Sequence, residues 1–269
     1  MNTKARIESI LNANLLDTSI TGLPTFRLSE LQLNGNQKSE LDFPLPANRR
    51  LGHLAERVVS ELIKRSSNYN VLYENIQLIE NKRTIGEIDF LIEDVSTKQV
   101  MHLELAYKFY LFDPEISTNT FNNWIGPNRN DSLREKLGKL KRKQLPLLYH
   151  ECAAVKLSSI SIEEATQAIC LLVSLFIPYK YEQDLDPEYK NAIKGYYIDL
   201  EAFCSLDNSI KSYHLPQKTE WGMDPSNNET WSDFNGIEKS IGTSIKQRQS
   251  TLCWLREGDV YSEIFIVWW

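Results

Sequence analysis

In the run HLELAYKFYL, His102 to Leu111, a glutamate and a lysine stand within a segment otherwise apolar enough for a buried strand. Successive side chains of a strand alternate faces, so Met101, Leu103, Leu105, Tyr107 and Phe109 share one side, and His102, Glu104, Ala106 and Lys108 the other. Burying ions is costly unless they are paired or hold a metal, which leaves two explanations: an exposed face carrying an ion pair, or a site. The preceding run, GEIDFLI, puts Glu87 and Asp89 on one face and turns Ile88 and Phe90 to the other. Glu56, further upstream, offers a third carboxylate if its helix crosses the same sheet. Carboxylates and a lysine gathered at one place supply what metal-dependent phosphodiester hydrolysis requires: hard oxygens for Mg²⁺ and a cation near the attacking water.

The elements that must position these groups follow from periodicity. Leu54, Val58 and Leu62 recur at helical spacing in RLGHLAERVVSELIKR, with Val59 and Ile63 beside them, which predicts a helix with one buried side. YNVLYENIQLI, TIGEIDFLIED and VMHLELAYKFYLF are short β-prone runs separated by the polar turns ENKR and DVSTKQ, so an antiparallel meander packed on that helix is expected. After a Gly-Pro stop, Leu133, Leu137 and Leu140 predict a second helix that carries the dense basic run REKLGKLKRKQ, Arg134 to Gln144. A solvated helix face explains that run as readily as a binding face does. Upstream, a helix near Lys4 to Leu15 leads into a Gly- and Pro-punctuated approach containing GLPTF and DFPLPANRR. Downstream, SIEEATQAICLLVSLFIPY reads as a helix running into a buried strand. KGYYIDLEAF, KSYHLPQKTEW and STLCWLREGDVYSEIFIVWW read as further strands, and the final IVWW as packing without a catalytic role.

With 269 residues, 42% of them hydrophobic, the chain can bury a sizeable core in one large domain or two small ones. It has no apolar run long enough to span a bilayer, and its N-terminus MNTKARIESILNANLLD is too polar for a signal peptide, so no membrane association and a cytoplasmic location are expected. Cys152, Cys170, Cys204 and Cys253 form no CxxC pair, and His53, His102, His150 and His214 are equally scattered, which argues against a zinc site or a disulfide framework. A net charge of −6 argues against a protein that coats nucleic acid, but is compatible with an enzyme that has one basic face.

The order helix with Glu, strand with Asp, strand with Glu and a downstream Lys, then helix, resembles the PD-(D/E)XK nuclease superfamily. Within it the chain is most similar to the bacterial family called domain of unknown function 1853, through LGHLAERVVSELI, RTIGEIDFLIED, HLELAYKFYL, WIGPNRNDSLREKLGKLKRKQLPL and, more weakly, YHLPQKTEW. The resemblance implies an α/β (α+β) fold with a restriction-endonuclease-like core, a mixed central sheet flanked by helices. Residues 1–48 would form an N-terminal helical extension, 49–180 the nuclease-like core, and 181–269 a β-rich C-terminal part packed on it. It implies Asp89 and Glu104 as ligands of Mg²⁺ or Mn²⁺, with the Leu105 carbonyl as a third, and Glu56 as a supporting carboxylate. Lys108 would orient the water or stabilise charge on the phosphorane. Lys139, Lys141, Arg142, Lys143 and Gln144 would face the backbone of a nucleic acid, DNA by analogy with the superfamily.

One departure from the superfamily's pattern stands out. The lysine usually follows the glutamate by two residues, where Ala106 stands, and Lys108 lies on the same face about 13 Å further along an ideal strand at ~3.3 Å per residue. A flexible lysine stem or a local bulge would bring its ammonium back. Two other readings stay open: a catalytically inactive binding or regulatory protein on a nuclease-like scaffold, and a structural ion pair in an unrelated α/β domain.

Overall fold

The computed structural model describes residues 3–33, 41, 43–46, 49–206 and 210–269. Asp42, Ala47 and Asn48 of the Pro-punctuated approach lie outside them, and Asn48 is also the expected end of the N-terminal extension. In chain order the helices are α1 (Thr3–Leu11), α2 (Thr18–Thr21), α3 (Leu51–Arg65), α4 (Leu133–Lys139), α5 (Glu151–Lys156), α6 (Pro187–Lys190), α7 (Leu200–Ser205) and α8 (Phe234–Lys246). The strands are β1 (Asn14–Leu15), β2 (Tyr69–Glu80), β3 (Arg83–Asp94), β4 (Val100–Phe112), β5 (Trp124–Ile125), β6 (Thr166–Pro178), β7 (Ile193–Asp199), β8 (Lys211–His214), β9 (Thr251–Glu257) and β10 (Val260–Val267). The chain is mixed α/β. It divides into two compact units, one of Leu15–Tyr107 and Glu135–Leu172, the other of Met1–Asn14, Lys108–Arg134 and Val173–Trp269.

The first unit contains the predicted meander. β2 pairs antiparallel with β3, and β3 with β4, in a register that sets Gln77 opposite Glu87 and Phe90 opposite Leu103. Asn81 and Lys82 both take positive φ in the turn between β2 and β3, as a two-residue hairpin turn of matching twist demands. Leu54, Ala55, Val58, Val59, Leu62 and Ile63 form the buried side of α3. Ile76, Leu78, Ile88 and Leu91 of the hairpin share a core with Leu148, Ala153 and Leu157 from the helical run beyond α4. At Gly86 a Cβ would lie 2.4 Å from Leu147 Cδ1, so any larger residue here would require the Leu147 side chain to move.

The expected second helix is built in pieces. Regular α4 passes into a π-helical turn, Leu140–Gln144, and then a 3₁₀ segment, Leu145–Tyr149, with Pro146 near its start. The helix expected before β6 is only a 3₁₀ turn, Ile162–Glu164, because the strand begins at Thr166 and leaves too few residues to nucleate an α-helix.

In the second unit, β6–β7 and β7–β10 are parallel while β10–β9 and β9–β8 are antiparallel, so the sheet is mixed. Its core joins Ile198, Phe203, Tyr213, Cys253, Ile264 and Ile266 to Ile237 and Ile241 of α8. That helix lies in a part of the chain where only strands are expected, and the Asp233 side chain caps it through the Gly236 N–H. β10 ends at Val267, so IVWW begins as a packed strand. Among the described residues, no helix is long and apolar enough to cross a membrane.

Candidate metal centre

Alternation puts Asp89 and Glu104 on neighbouring strands, and the end of a ladder brings Asp89 to the backbone N–H of Leu105, the residue after Glu104. The paired register of β3 with β4 ends at Phe90 opposite Leu103. One step beyond it the Asp89 side chain takes over, and its Oδ2 accepts the Leu105 N–H at 2.8 Å. Leu105 is thus tied to Asp89, through its N–H rather than the carbonyl proposed as a ligand. Glu104 has no exposed surface. Its Oε1 lies 2.8 Å from His102 Nε2, and its Oε2 accepts the Gln144 amide at 2.5 Å.

The protons of this network can be assigned from its ends. Gln167 Nε2 donates to the Leu145 carbonyl at 2.7 Å, which fixes the orientation of its amide, and its other N–H points to His102 Nδ1 at 3.1 Å. His102 Nδ1 is therefore an acceptor, and the neutral ring carries its proton on Nε2, directed at Glu104. At the other end Lys136 Nζ donates to Gln144 Oε1 at 3.0 Å, so Gln144 turns its NH₂ to Glu104. One continuous chain of donors and acceptors runs from Lys136 through Gln144, Glu104 and His102 to Gln167.

Burial, and after it the charge of Glu104, pushes the Asp89 carboxyl well above the usual carboxylate range. Glu56 adds to that push, while the Leu105 N–H and the Lys136 ammonium oppose it. Two carboxylates here compete for too little positive charge. A divalent cation would relieve that competition, and Asp89 Oδ1 together with the remaining lone pairs of Glu104 forms a hard-oxygen donor set. Glu56 is close enough to act on Asp89 through its charge, but its carboxylate is paired with His53 Nδ1 at 3.1 Å. It lines a cavity of about 290 Å³ with Arg49, His53, Arg57, Glu74 and Glu87. No group of three carboxylates, histidines or cysteines including Asp89 converges on a single point among the described residues. Two carboxylates completed by water suit Mg²⁺, which keeps much of its hydration when bound.

The remaining expected residues divide. Lys139, Lys141, Arg142 and Lys143 are exposed, whereas Gln144, expected to face outward with them, turns inward to Glu104. Lys108 belongs to the second unit, where its ammonium pairs with Asp131 at 2.7 Å. The cation that acts on Asp89 in the first unit is Lys136, from α4. Lys136, His102 and Gln167 were not picked out from the sequence. The available signal was their polar character beside apolar strand and helix positions, and His102 shares the face of Glu104.

The fold is of the mixed α/β class, with the buried carboxyl groups of Asp89 and Glu104 on adjacent strands. A family model described as Domain of unknown function (DUF1853) matches residues 25–262, and the chain belongs to that family. Comparison with curated proteins and with solved structures returns no match.

Proposed function

We propose that the protein is a divalent-metal-dependent nuclease of the PD-(D/E)XK type, hydrolysing phosphodiester bonds of nucleic acid, with DNA as the substrate expected by analogy with the superfamily. The observation that carries this reading is the Asp89–Glu104 pair, one carboxylate from each of two adjacent strands, joined through Gln144 to the Lys136 ammonium. A bound Mg²⁺ or Mn²⁺ supplies Lewis acidity toward a phosphoryl oxygen and lowers the pKa of a bound water. Asp89 and Glu104 are its protein ligands. His102 and Gln144 hold the Glu104 carboxylate in one orientation, as outer hydrogen bonds do for metal ligands. Lys136 stands for the superfamily's lysine, offering positive charge to the developing phosphorane. The exposed row Lys139, Lys141, Arg142 and Lys143 takes the phosphates of the nucleic-acid backbone.

A second reading, a binding or regulatory protein that has kept the scaffold and lost the chemistry, is favoured by Ala106 at the usual lysine position and by the full burial of Glu104. Nuclease assays on single- and double-stranded DNA and RNA with Mg²⁺ and Mn²⁺, run beside Asp89→Ala, separate the two. Cleavage lost in Asp89→Ala supports the enzyme. Nucleic-acid binding without cleavage under any of these conditions supports the inactive scaffold.

A further inference from the structure

The scattered histidines and cysteines of the sequence give no zinc pattern, yet the fold gathers one set away from the carboxylate pair. Glu80 ends β2, His150 precedes α5, and Cys152 lies in its first turn. One ligand atom from each lies within 4.8 Å of the other two, and among the described residues this is the one group of three that converges so. His150 Nε2 is 3.8 Å from Glu80 Oε1. In a tetrahedral site with bonds of about 2.0 to 2.3 Å, neighbouring ligand atoms lie roughly 3.3 to 3.7 Å apart, so small side-chain movements would close the set.

The backbone on both sides of this set is held by one core. Leu78, two residues before Glu80, is fully buried against Leu148 and Ala153, which flank His150 and Cys152. The Lys156 ammonium also reaches back to the Gln77 carbonyl, joining the end of α5 to β2. The ligands thus stand on rigid elements that packing has already brought together, and little order has to be created by the ion. Cys152 is a free, half-buried thiol, and Glu80 is exposed, which leaves a route in from solvent.

We propose that Glu80, His150 and Cys152 bind a zinc-class transition-metal ion, with water in the fourth position. The donor set decides the class: a thiolate and an imidazole select Zn²⁺ over the hard Mg²⁺ that suits two carboxylates. His150 Nδ1 accepts the Cys152 N–H at 3.2 Å, so the neutral ring carries its proton on Nε2. Coordination through Nε2 moves that proton to Nδ1 and exchanges the capping bond for the metal bond. The Cys152 thiol releases one proton to solvent as it becomes thiolate, and no electron is transferred. The ion clamps the end of the β2–β3 hairpin to the helical run that begins at α4 and carries Gln144.

Cobalt(II) titrated into the full chain, held reduced and in excess Mg²⁺, reads the site directly. A near-ultraviolet thiolate-to-cobalt charge-transfer band should appear, be abolished by one equivalent of Zn²⁺, and be absent from Cys152→Ser. His150→Ala should weaken binding about tenfold or more, whereas Asp89→Ala should leave the band unchanged. Zn²⁺ should raise the Tm of the natural chain and leave that of Cys152→Ser unmoved, with far-ultraviolet circular dichroism confirming that the variant folds. Absence of the band in the natural chain overturns the proposal. So does its persistence in a folded Cys152→Ser, which would move the thiolate to another cysteine. Because the readouts are a spectrum and a melting temperature, this outcome is independent of whether Asp89 and Glu104 support cleavage.

Discussion

Asp89→Ala and Glu104→Ala each delete one carboxylate of the pair, and their effects on folding stability should differ by about 1 kcal/mol or more, with Glu104→Ala the less stable. Glu104 accepts one hydrogen bond on each oxygen, from His102 and from Gln144, with no exposed surface. Removing it strands both donors, and each buried donor left without an acceptor costs about 1 to 3 kcal/mol. His102 has no other direction for its Nε2–H, because Gln167 holds Nδ1, and Gln144 is held by Lys136. Relief of the repulsion between the carboxylates offsets part of this, so a net loss of about 2 to 4 kcal/mol is expected. Asp89→Ala strands only the Leu105 N–H, about 1 to 3 kcal/mol, and removes a carboxyl whose ionised form burial and Glu104 already disfavour. Those two effects oppose each other, and stability should stay within about 1 kcal/mol of the natural chain. Equilibrium urea unfolding near neutral pH, with chelator present to exclude metal, measures both. Glu104→Gln, which keeps one acceptor oxygen, should fall between Glu104→Ala and the natural chain. Equal losses for the two alanine variants, or a Glu104→Ala as stable as the natural chain, would show that the hydrogen-bonded network is not formed as described.

Lys136→Ala should lower cleavage by about tenfold or more while leaving Mn²⁺ affinity nearly intact, because the ammonium coordinates nothing; Lys108→Ala in the same assay should have the smaller effect. Charge reversal of Lys139, Lys141 and Lys143 together should flatten the slope of log K against log salt by about 2 to 3 for double-stranded DNA, at roughly 0.9 per lost phosphate contact. An unchanged slope would place the phosphate contacts elsewhere. In the second unit, burial raises the Glu263 carboxyl to about 7, with Lys194 pulling the other way. The folded chain therefore holds a proton that the unfolded chain releases, and this group's contribution to stability falls as pH rises from about 4.5 to about 7. At 1.36 kcal/mol per pK unit, Glu263→Gln should be more stable than the natural chain by about 3 kcal/mol above that window and nearly equal below it, in urea unfolding at about pH 8 and pH 4.

Much of the first unit was legible because its signals are local. Alternation in 69–79, 84–94 and 100–112, with polar turns between, is enough to specify a meander, and the spacing of Leu54, Val58 and Leu62 is enough to specify the helix upstream. Helix α8 was equally legible in principle: Asp233 as a cap and Ile237, Ile241 and Ile245 at helical spacing are the usual signs. It was missed because the surrounding segments are rich in β-formers. The order of the strands in the second unit is different in kind. No local pattern says that the sheet order will run β7, β10, β9, β8, since parallel neighbours distant in sequence are chosen by tertiary packing.

For the candidate site, strand alternation correctly ranks which side chains share a face, and so finds Asp89 and Glu104 without saying what else meets them. The partners come from outside the strands, and one local distortion decides who they are. In a regular α-helix Lys141, Arg142, Lys143 and Gln144 would be spaced about 100° apart around the axis, and charge alone would group Gln144 with the basic row. The π-helical turn Leu140–Gln144 widens the helix by one residue per turn at that point. Leu140 and Leu145 are buried on either side of it, while Lys141, Arg142 and Lys143 are exposed between them. Gln144, next to buried Leu145, is carried round to the carboxylate side, where Glu104 accepts its amide and Lys136 donates to its oxygen. The same turn therefore sorts the run: exposed cations on one side, which on the proposed function would meet phosphates, and on the other a neutral amide that couples the Lys136 ammonium to Glu104. Deleting one residue within Leu140–Gln144 to restore α-helical spacing should rotate Gln144 away from Glu104, and Mn²⁺ affinity measured by calorimetry should fall even though every ligand is still present. Unchanged affinity in a folded deletion variant would show that Gln144 does not orient Glu104.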